Sequence, residues 1–182
     1  MAAHPPTFPI SKKIIFAGKM GVGKSSLCNM LVQGDLYHSN ICEVSDSAAS
    51  VTPMNKVVDG RGWTAIDTPG LGDVHDSTPR TSAEIIANTK VLTRILNEGE
   101  RGLHFIAYVV QRGRVQTEEQ AQLFASFKTM FQGAEDNFVL IVTHCPSEKW
   151  AVTNRQVILD TFGTYPVVAC NFPFDADDLT SG

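Results

Sequence analysis

The sequence has no feature of a membrane span or of a secreted, disulfide-bonded protein. No apolar run approaches the roughly 20 residues that a helix needs to cross a bilayer, and prolines interrupt the N-terminal residues, where a signal peptide requires an unbroken apolar segment. The four cysteines include no Cys-x-x-Cys pair, and we expect them to be reduced thiols. These absences predict a cytoplasmic protein whose chain does not insert into a membrane.

An excess of basic residues is also missing. The chain has 15 Lys and Arg against 19 Asp and Glu, a formal net charge of -4 and a pI near 5.7. A protein that binds nucleic acid over a broad surface needs many cations to neutralise phosphates, so we expect no nucleic-acid partner. Any phosphate site must be local. The 182 residues, of which 43% are hydrophobic, suit one cooperative domain and show no internal repeat.

The apolar pattern predicts a three-layer α/β domain. Nearly continuous apolar runs are typical of strands in a parallel sheet that is covered on both faces. Two shorter segments flank the turn-forming "DGRG" and indicate an antiparallel hairpin added to the parallel strands. The predicted strands are Ile14–Ala17, Asn55–Val58, Trp63–Ile66, His104–Val110, Phe138–Thr143 and Pro166–Cys170.

Two further segments have helical spacing. Ser82–Asn97 carries apolar residues at three- and four-residue steps and ends before Gly99. A second helix is predicted to begin at Thr117, where "TEEQ" forms a capping box. In that motif Thr117 accepts a hydrogen bond from the Gln120 amide, and the Gln120 side chain reaches back. The predicted buried stripe of this helix is Ala121, Phe124, Phe127, Met130 and Phe131.

The strongest functional signal is the segment "GKMGVGKS". It matches Gly-x-x-x-x-Gly-Lys-[Ser/Thr] between an apolar strand and an amphipathic helix. Its glycines let backbone N–H groups turn inward around a β-phosphate, Lys24 bridges the β- and γ-phosphates, and Ser25 holds Mg²⁺. The alternative is an ordinary glycine turn whose lysine is solvated. The residues expected to bind the nucleotide are Gly18, Met20, Gly21, Val22, Gly23, Lys24, Ser25 and Ser26.

A second motif predicts a nucleotide switch. In "WTAIDTPGLGD", Asp67 ends an apolar strand, where its carboxylate can reach Mg²⁺ through water, and the Gly70 amide can sense a γ-phosphate. Upstream, "SAASVTPMN" contains Thr52, whose hydroxyl could complete Mg²⁺ coordination in the triphosphate state and dissociate after hydrolysis. Outside this context Thr52 would be a surface threonine. The expected catalytic residues of these motifs are Lys24, Thr52 and Gly70, and the expected metal ligands are Ser25, Thr52 and Asp67.

These motifs carry a family resemblance. The order "GKMGVGKSS", "SVT", "DTPGL" resembles the translation-factor-like class of GTPases, and "HFIAYVVQRGRVQTEEQAQLFASFKTMFQG" resembles the GTPases of immunity-associated proteins, the AIG-type family, itself similar to septins and the Toc chloroplast-import GTPases. The resemblance implies a P-loop GTPase domain with a mostly parallel six-stranded sheet and one antiparallel edge strand. It implies GTP and GDP as ligands, with Mg²⁺. We assign residues 1–11 to a flexible N-terminal segment and 12–182 to the domain, without its last helix.

The base-binding end departs from the usual guanine motif, Asn/Thr-Lys-x-Asp. The chain has "THCPSE" at that place. In the resembling branches a histidine or arginine follows the threonine and stacks on the purine, which assigns that role to His144; the alternative is a loop histidine at the strand end. Two acceptors for the guanine edge stay open: Glu148, or groups near Asn171 in "ACNFP".

The resemblance also bears on hydrolysis. Leu71 stands where Ras-like enzymes have the glutamine that orients the attacking water, so intrinsic hydrolysis is expected to be slow. A nucleotide-dependent homodimer is implied, in which Arg114 enters the partner's site as an arginine finger. The alternative is that Arg112 and Arg114 are solvated or pair with Glu118 and Glu119. Two other functions stay open, a GTP-dependent scaffold that hardly hydrolyses and a P-loop kinase.

Overall fold

A six-stranded sheet organises the described residues, which are 11–34, 41–42, 55–71 and 102–172 of a computed structural model. The strands are β1 Lys12–Gly18, β2 Lys56–Gly60, β3 Trp63–Asp67, β4 Phe105–Gln111, β5 Phe138–Thr143 and β6 Val167–Ala169. The helices in these ranges are α1 Lys24–Gln33, α2 Glu118–Met130, α3 Glu148–Thr153 and α4 Arg155–Phe162.

The strand order is β2-β3-β1-β4-β5-β6, and only β2 runs antiparallel to its neighbour. This confirms the mostly parallel sheet with one antiparallel edge strand. The carboxyl ends of parallel strands meet at one edge of a sheet, which is where α/β proteins bind ligands. Here that edge brings together Gly18 at the end of β1, Asp67 at the end of β3, Gln111 at the end of β4 and Thr143 at the end of β5.

Successive residues of the central strands point to opposite faces and build two cores. Ile14 and Phe16 of β1 pack on the α1 side, whereas Ile15 and Ala17 pack on the side of α2 and α4. The three-layer prediction is therefore confirmed. The strand β6 departs from the expectation of cover on both faces, because it lies at the sheet edge and pairs only with β5, which leaves Val168 49% exposed.

Helix α2 begins as predicted, but one arm of its capping box is absent. The Thr117 hydroxyl accepts from the Gln120 amide at 3.1 Å. The Gln120 side chain does not reach back, because its Oε1 accepts a hydrogen bond from the buried Tyr108 hydroxyl at 2.8 Å. Ala121 was wrongly placed in the buried stripe. It is exposed, and Gln120 takes that place; the other four predicted residues, Phe124, Phe127, Met130 and Phe131, are buried.

Several expectations lie outside the described residues, namely those for residues 1–10, for the helix Ser82–Asn97 and for residues 173–182. The short helices α3 and α4 were not predicted. Ser147 caps α3 by accepting from the Lys149 amide at 3.2 Å. All four cysteines are free thiols, as expected. None of the helices in the described ranges combines the length and apolar character needed to cross a bilayer.

Candidate functional site

A glycine-rich loop joins β1 to α1 and forms the centre of the site. Gly18, Gly21 and Gly23 adopt φ angles of 150°, 73° and 92°, which side-chain-bearing residues rarely adopt. Gly23 is the N-cap of α1 and provides no side-chain cap. The first-turn N–H groups of a helix lack partners within the helix and carry its partial positive charge. The loop can therefore present backbone N–H groups to an anion.

Strand β4 lies too close to Gly18 to leave room for a side chain, so Gly18→Ala is expected to destabilise the fold. A Cβ at Gly18 would lie 2.3 Å from the Val109 carbonyl oxygen of β4, and its φ is unfavourable for a side chain. We expect the free energy of unfolding to fall by at least about 2 kcal/mol, measured by urea denaturation. Gly113→Ala is the matched control, because a Cβ there would meet nothing within 4 Å beyond the glycine itself and its two chain neighbours. Equal midpoints for the two variants would contradict the argument.

The loop lysine is buried rather than solvated. Lys24 is 7% exposed, and its Nζ donates to the Lys19 carbonyl oxygen at 2.9 Å, so its side chain folds back along the loop. A buried ammonium is costly unless hydrogen-bonded partners surround it. The alternative of a glycine turn with a solvated lysine is wrong for this structure.

The second motif is bonded directly to the loop. The Ser25 Oγ donates to Asp67 Oδ2 at 2.6 Å, and Asp67 is fully buried. The backbone after it is tied back as well, since the Thr68 hydroxyl donates to the Phe16 carbonyl at 2.7 Å and the Leu71 amide donates to the Gly18 carbonyl at 3.0 Å. A hydroxyl and a carboxylate are the hard oxygen ligands that Mg²⁺ prefers, so this pair fits the metal. Thr52 lies outside the described residues.

The residue in place of the water-orienting glutamine is part of the core. Leu71 is 1% exposed and packs with Ile15 and Ala17. Its side chain has no hydrogen-bonding group and points into the apolar layer. The burial agrees with the sequence argument that this position cannot orient a water molecule.

Thr143 is a site residue that the sequence analysis missed. Its buried hydroxyl donates to the Val22 carbonyl at 2.8 Å, which joins the end of β5 to the glycine-rich loop. The signal available was a threonine ending a buried parallel strand at the ligand-binding edge. In the sequence that threonine served only to locate His144.

His144 follows with a φ of 53°, an uncommon conformation for a residue with a side chain. Burial lowers the pKa of His144, which favours the neutral form of its imidazole. The segment that carries Asn171 runs alongside, because the Cys145 amide donates to the Cys170 carbonyl at 2.9 Å. Asn171 itself is exposed, and Glu148 is the first residue of α3. The structure thus brings the neighbourhoods of His144 and Asn171 to one place.

Phe172 is a second residue that the sequence analysis missed. Its ring centroid lies 6.1 Å from that of His144 with an interplanar angle of 80°. Its Cε2 would be 2.8 Å from a Cβ built on Gly23, so the ring lies against the glycine-rich loop. A single phenylalanine after a short strand carries no signal that would have singled it out.

The two arginines lie on a 3₁₀ turn, Arg112–Arg114, directly after β4, and both are exposed. The alternative had two parts: pairing with the acidic residues of α2 is not seen among the described residues, whereas solvation agrees with the exposure of both arginines. Glu119 instead forms an ion pair with Lys19, with Nζ to Oε1 at 2.7 Å, and Glu118 accepts from Gln122 at 3.4 Å. The guanidinium groups therefore project from the ligand-binding edge into solvent.

Comparisons with known proteins agree with this geometry. A model of the AIG1 family matches residues 12–155. Immune-associated nucleotide-binding protein 4 of Arabidopsis thaliana is 35% identical over 118 residues, which are 62% of this chain and 32% of that protein. Immune-associated nucleotide-binding protein 3 of the same plant is 27% identical over 157 residues, which are 83% of this chain and 42% of that protein. The chain thus spans well under half the length of these relatives.

A similar solved structure is described as a probable GTP-binding protein engB. It has a TM-score of 0.54 and 14% sequence identity, and the match covers 87% of this chain and 88% of that chain. At this identity the likeness is one of fold, and it agrees with a P-loop α/β domain.

Proposed function

Because the chain belongs to the AIG1 family, we propose that it binds GTP and GDP with Mg²⁺ and hydrolyses GTP slowly, acting as a nucleotide-dependent switch or assembly module. The observation that carries the proposal is the buried Lys24 amine, which is held on the Lys19 carbonyl inside a loop of positive-φ glycines. A buried cation next to inward-facing backbone N–H groups suits a polyphosphate better than any smaller anion.

Different loop residues would bind the phosphates and the metal. Lys24 exchanges the Lys19 carbonyl for the β- and γ-phosphate oxygens, while N–H groups from Gly21 to Ser26 surround the phosphates. Ser25 and Asp67 would hold Mg²⁺ together with Thr52. The metal, when bound, neutralises charge on the phosphate oxygens during transfer.

The motif Asp67–Gly70 is suited to report which nucleotide is bound. We expect the Gly70 amide to donate to the γ-phosphate, which disappears on hydrolysis. The hydrogen bond from the Leu71 amide to the Gly18 carbonyl supports this role, because it keeps the segment against the phosphate loop.

Guanine specificity is tested by competition. With labelled GDP bound, unlabelled GTP is expected to displace it at least about 100-fold more effectively than ATP, because a site that hydrogen-bonds one base edge rejects a base lacking those groups. His144→Ala should weaken GDP and GTP binding alike, since stacking is lost for both. Equal displacement by ATP and GTP would overturn the guanine assignment, and unchanged affinity in His144→Ala would overturn the stacking role.

A further inference from the structure

We propose that Phe172 contacts the purine base, forming with His144 an aromatic corner beside the phosphate loop that receives the base of the bound nucleotide. The inference rests on the proposed function, because it takes the glycine-rich loop to hold the phosphates. It adds a specific residue and a mode of contact that the sequence motifs do not indicate.

The position of Phe172 carries the argument. Its Cε2 and Cζ would lie 2.8 and 3.5 Å from a Cβ on Gly23, so the ring covers the backbone directly before Lys24. The His144 ring stands at 80° to it, with 6.1 Å between centroids. A planar base that stacks on one face of such a corner presents its edge to the other ring, and both contacts are favourable for aromatic groups.

Backbone hydrogen bonds fix the corner relative to the phosphate loop. The Cys170 amide donates to the Val142 carbonyl and the Cys145 amide donates to the Cys170 carbonyl, each at 2.9 Å. The Thr143 hydroxyl then ties the same strand end to Val22 in the loop at 2.8 Å. The backbone on either side of His144 and the backbone just before Phe172 are therefore tied to the phosphate loop, which is the preorganisation that a ligand site requires.

Stacking explains affinity but not discrimination between purines. Every base has an aromatic face, so removing one aromatic contact costs about 5- to 150-fold in affinity and does so with little regard to which base is bound. We therefore expect the ratio of GTP to ATP affinity to be nearly unchanged when Phe172 is replaced, while both affinities fall. Discrimination stays with groups that bond the guanine edge.

The test compares Phe172→Leu with Phe105→Leu, measuring affinity for GDP and for inorganic tripolyphosphate in the presence of Mg²⁺. Phe105 begins β4 at the opposite end of the sheet, is 37% exposed and packs on Trp63, so the same substitution there is a matched control. We expect Phe172→Leu to lose about 5- to 150-fold in GDP affinity and to keep tripolyphosphate affinity within about twofold. Phe105→Leu should change neither.

Three outcomes would overturn the inference: unchanged GDP affinity in Phe172→Leu, tighter GDP binding, or an equal loss for GDP and tripolyphosphate. The last would mean that Phe172 only shapes the phosphate loop. A wild-type chain that binds neither ligand would instead overturn the proposed function itself.

A second variant, Phe172→Trp, keeps the inference testable if Phe172→Leu does not fold. Phe172→Trp keeps an aromatic face, so GDP affinity should stay within about fivefold of wild type. The wild type already contains Trp63 and Trp150, so the emission of the new tryptophan is obtained as the difference between the variant and the wild type. GDP should quench this emission, and tripolyphosphate should not. Quenching by both ligands or by neither would contradict contact with the base.

Discussion

Lys24→Ala is expected to abolish measurable binding of GTP and GDP. The wild-type Lys24 side chain is 7% exposed, and its amine donates to the Lys19 carbonyl within the phosphate loop. Lys24 and the phosphates would form a buried, hydrogen-bonded charge pair, and removing the amine leaves the phosphate charge unpaired, so affinity falls by about 10³-fold or more and out of the measurable range. Isothermal titration with GDP and Mg²⁺ measures the effect.

Lys128→Ala is the matched control for this prediction. Lys128 is exposed near the end of α2, where its ammonium lies 5.4 Å from the Phe124 ring centroid, far from the loop. We expect wild-type affinity in that variant. Circular dichroism of both variants separates a binding defect from unfolding. Wild-type GDP affinity in a folded Lys24→Ala protein would refute the phosphate-loop proposal.

Arg114→Ala is expected to remove a stimulation of GTP hydrolysis that depends on protein concentration. Because Leu71 is buried, this position cannot orient water, and an arginine supplied by a second copy can raise the rate by about 10³- to 10⁵-fold. Arg114 is exposed on the turn after β4, at the edge where the nucleotide would lie. Specific activity of the wild type should rise with concentration, and the variant should flatten that rise at nearly unchanged GDP affinity.

Arg112→Ala is the control, because it lies on the same 3₁₀ turn and is also exposed. If stimulation survived in Arg114→Ala but disappeared in Arg112→Ala, the arginine finger would be Arg112 and our assignment to Arg114 would be wrong. Turnover that does not depend on concentration in the wild type would reject the dimer mechanism. Bound GTP that persists at every concentration would favour the scaffold alternative.

The phosphate end of the site was predictable because its chemistry constrains consecutive residues. A phosphate-binding loop needs positive-φ glycines, a lysine and a hydroxyl close together in one short stretch of sequence. The segment Gly18–Ser25 therefore contains the complete phosphate-binding motif. The strands were predictable for a similar reason, since continuous apolar runs are required where both faces of a sheet are covered. The position of Asp67 beside Ser25 then followed from the parallel sheet.

The missed features depend on contacts between distant segments. Gln120 looked like a capping residue, and its pairing with Tyr108 depends on how α2 lies across β4. Thr143 and Phe172 reach the phosphate loop from 121 and about 150 positions further along the chain. Such contacts leave no local pattern, because neighbouring residues in the sequence do not determine which segments meet.

The burial of Leu71 has a consequence for timing. A GTPase with a water-orienting side chain sets its own rate of hydrolysis, whereas Leu71, packed in the core with Ile15 and Ala17, cannot do so. Under the proposed mechanism, the lifetime of the triphosphate state is set by how often two copies meet. At low local protein concentration the domain would keep its GTP for long periods, and at high local concentration it would hydrolyse it quickly. The nucleotide state would therefore depend on the local concentration of the domain itself.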